Sequence, residues 1–328
     1  MTLVTEVDAV VEALRQADRL LLTTHENPDG DALGSLLGMH EILLGLGKDS
    51  LMFMPEPVDR LPPEYRHMRF AGAITRPPDD VDERTIVFLD CGNIDRMPVD
   101  FLQRARRSVL NIDHHHDNTR FGTVNLVVPD ASCTAEIVFG LAKELDAPIM
   151  PVIAEALYIG LVTDTGRFMY ENSSPAAHRM AAELIDAGVE VHTVYRRLYE
   201  SLPFGRLQLH ARALERAARS SDGLVIAAFL TVEDFRATGS DETDSEGIVD
   251  RLRAIEGVSV AVLVRELLDQ ARAGSRKVSL RATDGRVDVS RIARAHGGGG
   301  HRQAAGFSTE LEVDALLERL RAEVADQL

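Results

Sequence analysis

Cysteine is scarce in this sequence: Cys91 and Cys133 are the only two, too few for a disulfide framework and without the CxxC spacing of a thiolate metal site. Long apolar runs are missing as well. No stretch approaches the roughly 18–20 continuous apolar residues that a membrane helix needs, so no membrane partner is expected. The opening residues MTLVTEVDAVVEALRQADR are acidic and amphipathic, with neither the basic start nor the apolar core of a signal peptide. The cytoplasm is the expected location. Positive charge is also in deficit, 36 basic against 52 acidic residues for a net charge of -16, which speaks against a surface that grips long duplex nucleic acid. A small anionic substrate is still allowed, because bound metal ions invert the local sign of the field.

The composition is that of a globular protein, 45% apolar and 27% charged, and 328 residues suit two domains better than one core. In the first half, apolar runs that read as strands (RLLLTT, SLMFM, TIVFLDC, SVLNIDHH) alternate with helical periodicity, as in VDAVVEALRQA, DALGSLLGMHEILLGLG, SCTAEIVFGLAKELDA and PVIAEALYIGLVTDTG. This alternation predicts an α/β fold with a mainly parallel sheet flanked by helices over residues 1–190. Residues 191–217 read as a helical connector broken by a proline. A smaller α/β domain is expected over 218–328, ending in a helix, with a cleft between the two domains.

Polar clusters stand where the strands end: HENPDGD after RLLLTT, DCGN after TIVFL, DHHH after SVLNI. In open α/β sheets, ligand sites gather at the carboxyl ends of strands. Imidazoles and carboxylates are what a divalent metal engaged in hydrolysis at neutral pH requires, and His25, Asp29, Asp31, Asp90, Asp113, His114, His115, His116 and Asp164 supply them. Each has a plainer reading alone. An Asp-x-Asp in a turn is usually solvated or caps a helix, Asp31 could be the cap of the helix that follows, and a DHH triplet can be a surface loop. Their joint occurrence at element ends is harder to assign to chance.

HENPDGDALGS, FLDCGN, NIDHHHDN, LVTDTGRF and the late GGGGHRQAAGF resemble, in the same order, the motif series of the DHH phosphoesterase family and its DHH-associated domain. Within that family, size and layout are similar to the stand-alone oligoribonuclease (nanoRNase) and 3'-phosphoadenosine 5'-phosphate phosphatase type. The resemblance implies a DHH domain over 1–190 and a DHH-associated substrate-binding domain over 218–328. It implies two manganese ions, replaceable by magnesium or cobalt. His25 and Asp29 would hold one, Asp31, His114 and Asp164 the other, and Asp90 would bridge them. Asp113 would orient its neighbours and His115 would face the substrate, while His116 has no assigned part. A metal-activated water would attack phosphorus in short RNA oligonucleotides, in 3'-phosphoadenosine 5'-phosphate, or in linear or cyclic dinucleotides such as those from cyclic di-AMP. A homodimer is allowed.

Four glycines in a row usually mean a linker, but these sit inside a domain. Gly298, Gly299 and Gly300 are expected to admit a phosphate to the backbone, aided by a helix starting after them, with His301 contacting the phosphate. Arg281 and Arg276 are candidate phosphate forks, Arg281 favoured for its place near the glycines. Two other readings are kept. A family II pyrophosphatase would have a different C-terminal domain with a basic substrate motif. A non-catalytic nucleotide sensor would have lost metal ligands, and none of the positions that map is lost. A RecJ-type exonuclease would need further domains.

Overall fold

The computed structural model describes residues 3–103, 108–200, 202–220, 222–272, 274–300 and 302–328, so His301 lies outside the described residues. The chain divides into two units, Met1–Ser201 and Leu202–Leu328. The stretch read as a connector is shared between them, its first helix in one unit and its second in the other.

In the first unit, β1 (Arg19–Thr23), β2 (Asp49–Met52), β3 (Thr85–Leu89), β4 (Val109–Asp113) and β5 (Val124–Val127) form a five-stranded sheet in the order β2-β1-β3-β4-β5. Every pairing is parallel. Continuous apolar runs such as Leu20, Leu21, Leu22 and Ile86, Val87, Phe88, Leu89 are buried on both sides, as a sheet covered on both faces demands. Around it run α1 (Leu3–Gln16), α2 (Gly30–Gly45), α3 (Asp100–Gln103), α4 (Thr134–Glu144), α5 (Pro151–Asp164), α6 (Pro175–Asp186) and α7 (Val191–Tyr195).

Helices α2 and α5 lack a polar stripe and are buried almost all round. They approach closely because glycines meet at the contact: a methyl group on Gly34 would lie 2.3 Å from the Ala156 carbonyl oxygen and 2.9 Å from the Gly160 nitrogen. Two opposing effects can be weighed at this position. Alanine is the better helix former by about 1 kcal/mol, whereas overpacking costs about 1–3 kcal/mol. At 2.3 Å from backbone, overpacking wins. Gly34→Ala is therefore expected to destabilise the chain in denaturant unfolding, and an unchanged or raised midpoint would refute the close packing of these helices.

The second unit carries α8 (Phe204–Glu215), α9 (Val232–Thr238), α10 (Ile248–Arg253), α11 (Val289–Ala295) and α12 (Val313–Ala325). Its strands are β6 (Ala218–Arg219), β7 (Val225–Leu230), β8 (Val260–Glu266), β9 (Arg276–Ala282), β10 (Gly299–Gly300) and β11 (Ala304–Thr309), in the order β10-β11-β9-β8-β7-β6. Only β7 and β8 run parallel. Strand β8 feeds both faces: Val260, Val262 and Val264 join a core with α11 and α12, while Ala261 and Leu263 join one with α8, α9 and α10. Both units are α/β, and no helix of the described residues is long and apolar enough to cross a membrane.

The glycine tract corrects one expectation. No helix starts after it; Gly299 and Gly300 pair with Gly306 and Ala305 in an antiparallel hairpin that leads into β11. A side chain on Gly298 would collide with the Gly306 carbonyl oxygen at 2.2 Å, and Gly300, at φ 132°, faces the Ala304 carbonyl oxygen at 2.6 Å. Hairpin closure thus requires glycine at both positions.

Candidate metal centre at the carboxyl edge of the parallel sheet

Strands β1, β3 and β4 are neighbours, so the three polar clusters that follow them meet along one sheet edge. β1 delivers His25, which is 3% exposed, and the turn into α2 delivers Asp29 and Asp31. The cap of α2 is Asp29, not Asp31: its Oδ1 accepts from the amides of Asp31 and Ala32 at 3.0 and 3.1 Å. Asp31 sits one turn inside and is buried. Its two oxygens accept the first amides of α4, Thr134 at 2.7 Å and Ala135 at 2.9 Å, which the helix leaves without internal partners. A carboxylate there also complements the positive end of the helix.

Asp90 ends β3 with φ 56°, a left-handed backbone that is uncommon for a residue with a side chain and typical of positions held by their surroundings. Its Oδ1 accepts from the Thr134 hydroxyl at 3.0 Å. β4 supplies Asp113 at its last position, with His114 and His115 directly after it. Asp164 closes α5, and Asn172 donates to its Oδ2 at 3.1 Å.

These side chains gather into three overlapping groups: His25, Asp29 and Asp90; Asp31, His114 and Asp164; Asp90, His114 and His115. Within each, one ligand atom per residue lies within 4.8 Å of the others. His114 Nε2 stands 4.0 Å from Asp31, 3.7 Å from Asp90 and 3.8 Å from Asp164. His25 Nε2 is 3.6 Å from Asp90 and has no hydrogen-bond partner among the described residues although it is buried. Such separations are too long for hydrogen bonds and short enough for the groups to share a cation.

Electrostatics point the same way. Burial, then the facing carboxylates Asp90 and Asp164, pushes Asp31 well above the ordinary carboxylate range. Burial also raises Asp164, with Asp29 and Asp90 adding to it against His114. Burial would raise Asp90 too, but His25, His115 and His114 outweigh it and hold the carboxyl low. Acids crowded at this spacing oppose one another's ionisation, and a divalent ion among them would relieve it. Buried imidazole and carboxylate groups of this kind suit a hard or borderline metal.

His115 differs from the rest. Its Nδ1 donates to Asp113 Oδ1 at 2.8 Å. Burial would lower its pKa, but that bond and the charge of Asp90 push it up to about 9. Asp113 Oδ2 accepts from Asn118 at 2.5 Å, and Asn118 also donates to Asn111 Oδ1 at 2.8 Å. Asn111 in turn donates to the Cys91 carbonyl oxygen. A polar chain under the sheet edge therefore fixes the His115 ring. Cys91 is fully buried and burial pushes its thiol up to about 12, so no thiolate nucleophile is available there. His116 is exposed and belongs to none of the three groups.

On the second unit, Arg281 pairs in register with Ala304, beside the glycine hairpin, and donates to Asp250 at 3.2 Å. Arg276 lies at the other end of β9, opposite Thr309, where it is buried and bonded to Glu312 and the Leu311 carbonyl oxygen. The structure does not bring these two arginines together. Thr134, Asn118, Asn111 and Asn172 are supporting residues that sequence reasoning missed. Asn118 had a visible signal, five residues after Asp113 in NIDHHHDN.

Residues 19–161 match the DHH family, N-terminal domain, and residues 223–326 match the DHHA1 domain. The chain is 34% identical, over its full length and 94% of the relative's, to the bifunctional oligoribonuclease and PAP phosphatase NrnA of Thermus thermophilus. It is 26% identical to the Bacillus subtilis protein of the same name, across 91% of this chain and 92% of that one. A solved structure, an exopolyphosphatase-related protein from Bacteroides fragilis, superposes with a TM-score of 0.88 at 25% identity, covering 98% of this chain and 96% of that one.

Proposed function

Since the chain belongs to the DHH family and is a hydrolase acting on phosphoester bonds, we propose that its substrates are short RNA oligonucleotides and 3'-phosphoadenosine 5'-phosphate. Dinucleotides, linear or cyclic, fall within the same chemistry. The observation that carries the reading is the overlap of the three ligand groups on Asp90 and His114, around a buried, unpartnered His25 Nε2. That pattern supports a pair of adjacent cation positions more than a single one. Relatives over the whole chain whose names carry both activities support the substrate class.

In this proposal His25 and Asp29 hold one ion, Asp31, His114 and Asp164 the other, and Asp90 touches both. We take the ions to be manganese, with magnesium or cobalt as substitutes. Two bound divalent ions supply Lewis acidity toward a phosphate oxygen and a water of lowered pKa. The chain's own part is to hold the ligands without reorganisation: α4 amides clamp Asp31, Thr134 fixes Asp90 and Asn172 fixes Asp164. His115, oriented by Asp113, donates to a phosphate oxygen or to the departing oxygen. Arg281 with Gly298, Gly299, Gly300 and His301 would contact phosphate on the second unit.

The test is product release from an RNA dinucleotide, a longer RNA, 3'-phosphoadenosine 5'-phosphate, cyclic di-AMP and pyrophosphate, each in manganese and in EDTA. Chelator-sensitive release, fastest on the dinucleotide or the bisphosphate, is expected. Turnover of pyrophosphate alone, or tight nucleotide binding with no turnover at all, would overturn the proposal.

A further inference from the structure

Beside the metal centre, the same sheet edge holds a cavity of about 280 Å³. The loops after β1, β2 and β3 line it, so it lies over the β2 side of the sheet while the ligand groups lie over β1, β3 and β4. His25 belongs to both. Its floor is Phe53, Met54, Leu61 and Met97, none more than 4% exposed.

We propose that this cavity is a nucleobase pocket, taking the base of the nucleotide whose phosphate lies at the metal centre and favouring bases with an exocyclic amino group; the inference rests on the nucleotide reading above. Size is the first argument. At about 280 Å³ the cavity is at the small end of ligand sites, enough for one flat fragment and not for a whole nucleotide. Surface chemistry is the second. An aromatic ring and two thioethers offer flat, polarizable contact to a π-face. The polar part of the lining is Glu26, Asn27 and Glu56 with Thr24 and His25, and no lysine or arginine lines it. A wall with two carboxylates and no cation rejects phosphate and suits a donor, which adenine, guanine and cytosine carry and uracil lacks on its ring substituents. The third argument is independent of both. The Thr24 hydroxyl is buried in this wall with no hydrogen-bond partner among the described residues, as is His25 Nε2, and buried unsatisfied groups are rare outside sites that receive something.

The pocket is tested by calorimetric binding of AMP, UMP and ribose 5-phosphate to the full chain in manganese. AMP should bind about ten-fold or more tightly than ribose 5-phosphate, the scale of one stacked base, with UMP weaker than AMP. Val99→Trp, which fills the cavity from a half-buried position, should bring AMP to the affinity of ribose 5-phosphate; Pro98→Trp repeats the test from the exposed rim. Equal affinities for AMP and ribose 5-phosphate in the wild type, UMP binding as tightly as AMP, or an AMP preference that survives both variants would overturn the pocket. The readout is binding, so silence in the hydrolysis panel would sink the preceding reading and not this one.

Discussion

Asp90→Ala is expected to lower chelator-sensitive hydrolysis by about 1,000-fold or more, since Lewis-acid stabilisation is worth several kcal/mol and each 1.4 kcal/mol is tenfold in rate. The size follows from the position of the side chain. Asp90 belongs to two of the three ligand groups, 3.6 Å from His25 and 3.7 Å from His114. Losing it therefore damages both cation positions, whereas losing Asp29 or Asp164 damages one. A graded series follows: Asp90→Ala and His114→Ala most severe, Asp29→Ala milder. Asp29→Ala also removes the α2 cap, which should lower stability by about 1 kcal/mol. Steady-state rates in manganese with a parallel unfolding curve separate the effects. Near-normal turnover in both Asp90→Ala and His114→Ala would remove the assigned centre.

The second large effect is at His115. Its alanine variant should lose about 100- to 10,000-fold in kcat, the range for a positioned proton donor, while retaining bound manganese. The centre keeps His25, Asp29, Asp31, His114 and Asp164 in that variant, so metal content and turnover should part company. Asn118→Ala should show a weaker version, about 10- to 100-fold, because it acts through Asp113 and leaves the imidazole present. Manganese content by atomic absorption beside kcat decides the matter. Parallel loss of metal and rate in His115→Ala would make it a ligand and end its role as a donor.

Much of the first unit was legible because burial writes itself as apolar runs. The strands with β1, β3 and β4 at their core were visible as such, and each ligand cluster follows one directly. Short β5, four residues of which two are only half buried, carried too weak a signal. Asp29 and Asp31 could not be told apart by propensity, since either suits a helix start. What separates them is a pair of amides on α4, more than a hundred residues away. Thr134 escaped for the same reason, its partner Asp90 being distant along the chain. The glycine tract misled because the residues that let a backbone approach phosphate also let a hairpin close, and sequence does not distinguish them. The apolar cavity was invisible, its lining coming from three separate segments.

Strand order has a consequence for biosynthesis. Strand β2 adds to one side of β1, then β3, β4 and β5 add in turn to the other, so each new strand finds its neighbour already made. The sheet is complete at Val127, yet Asp164 and the α4 amides that clamp Asp31 come later in the chain. A product of interrupted translation that stops between these points carries the sheet with an unfinished centre. Truncated chains are therefore expected to be inert toward RNA, and the cell meets a working nuclease only after the first unit has been made in full.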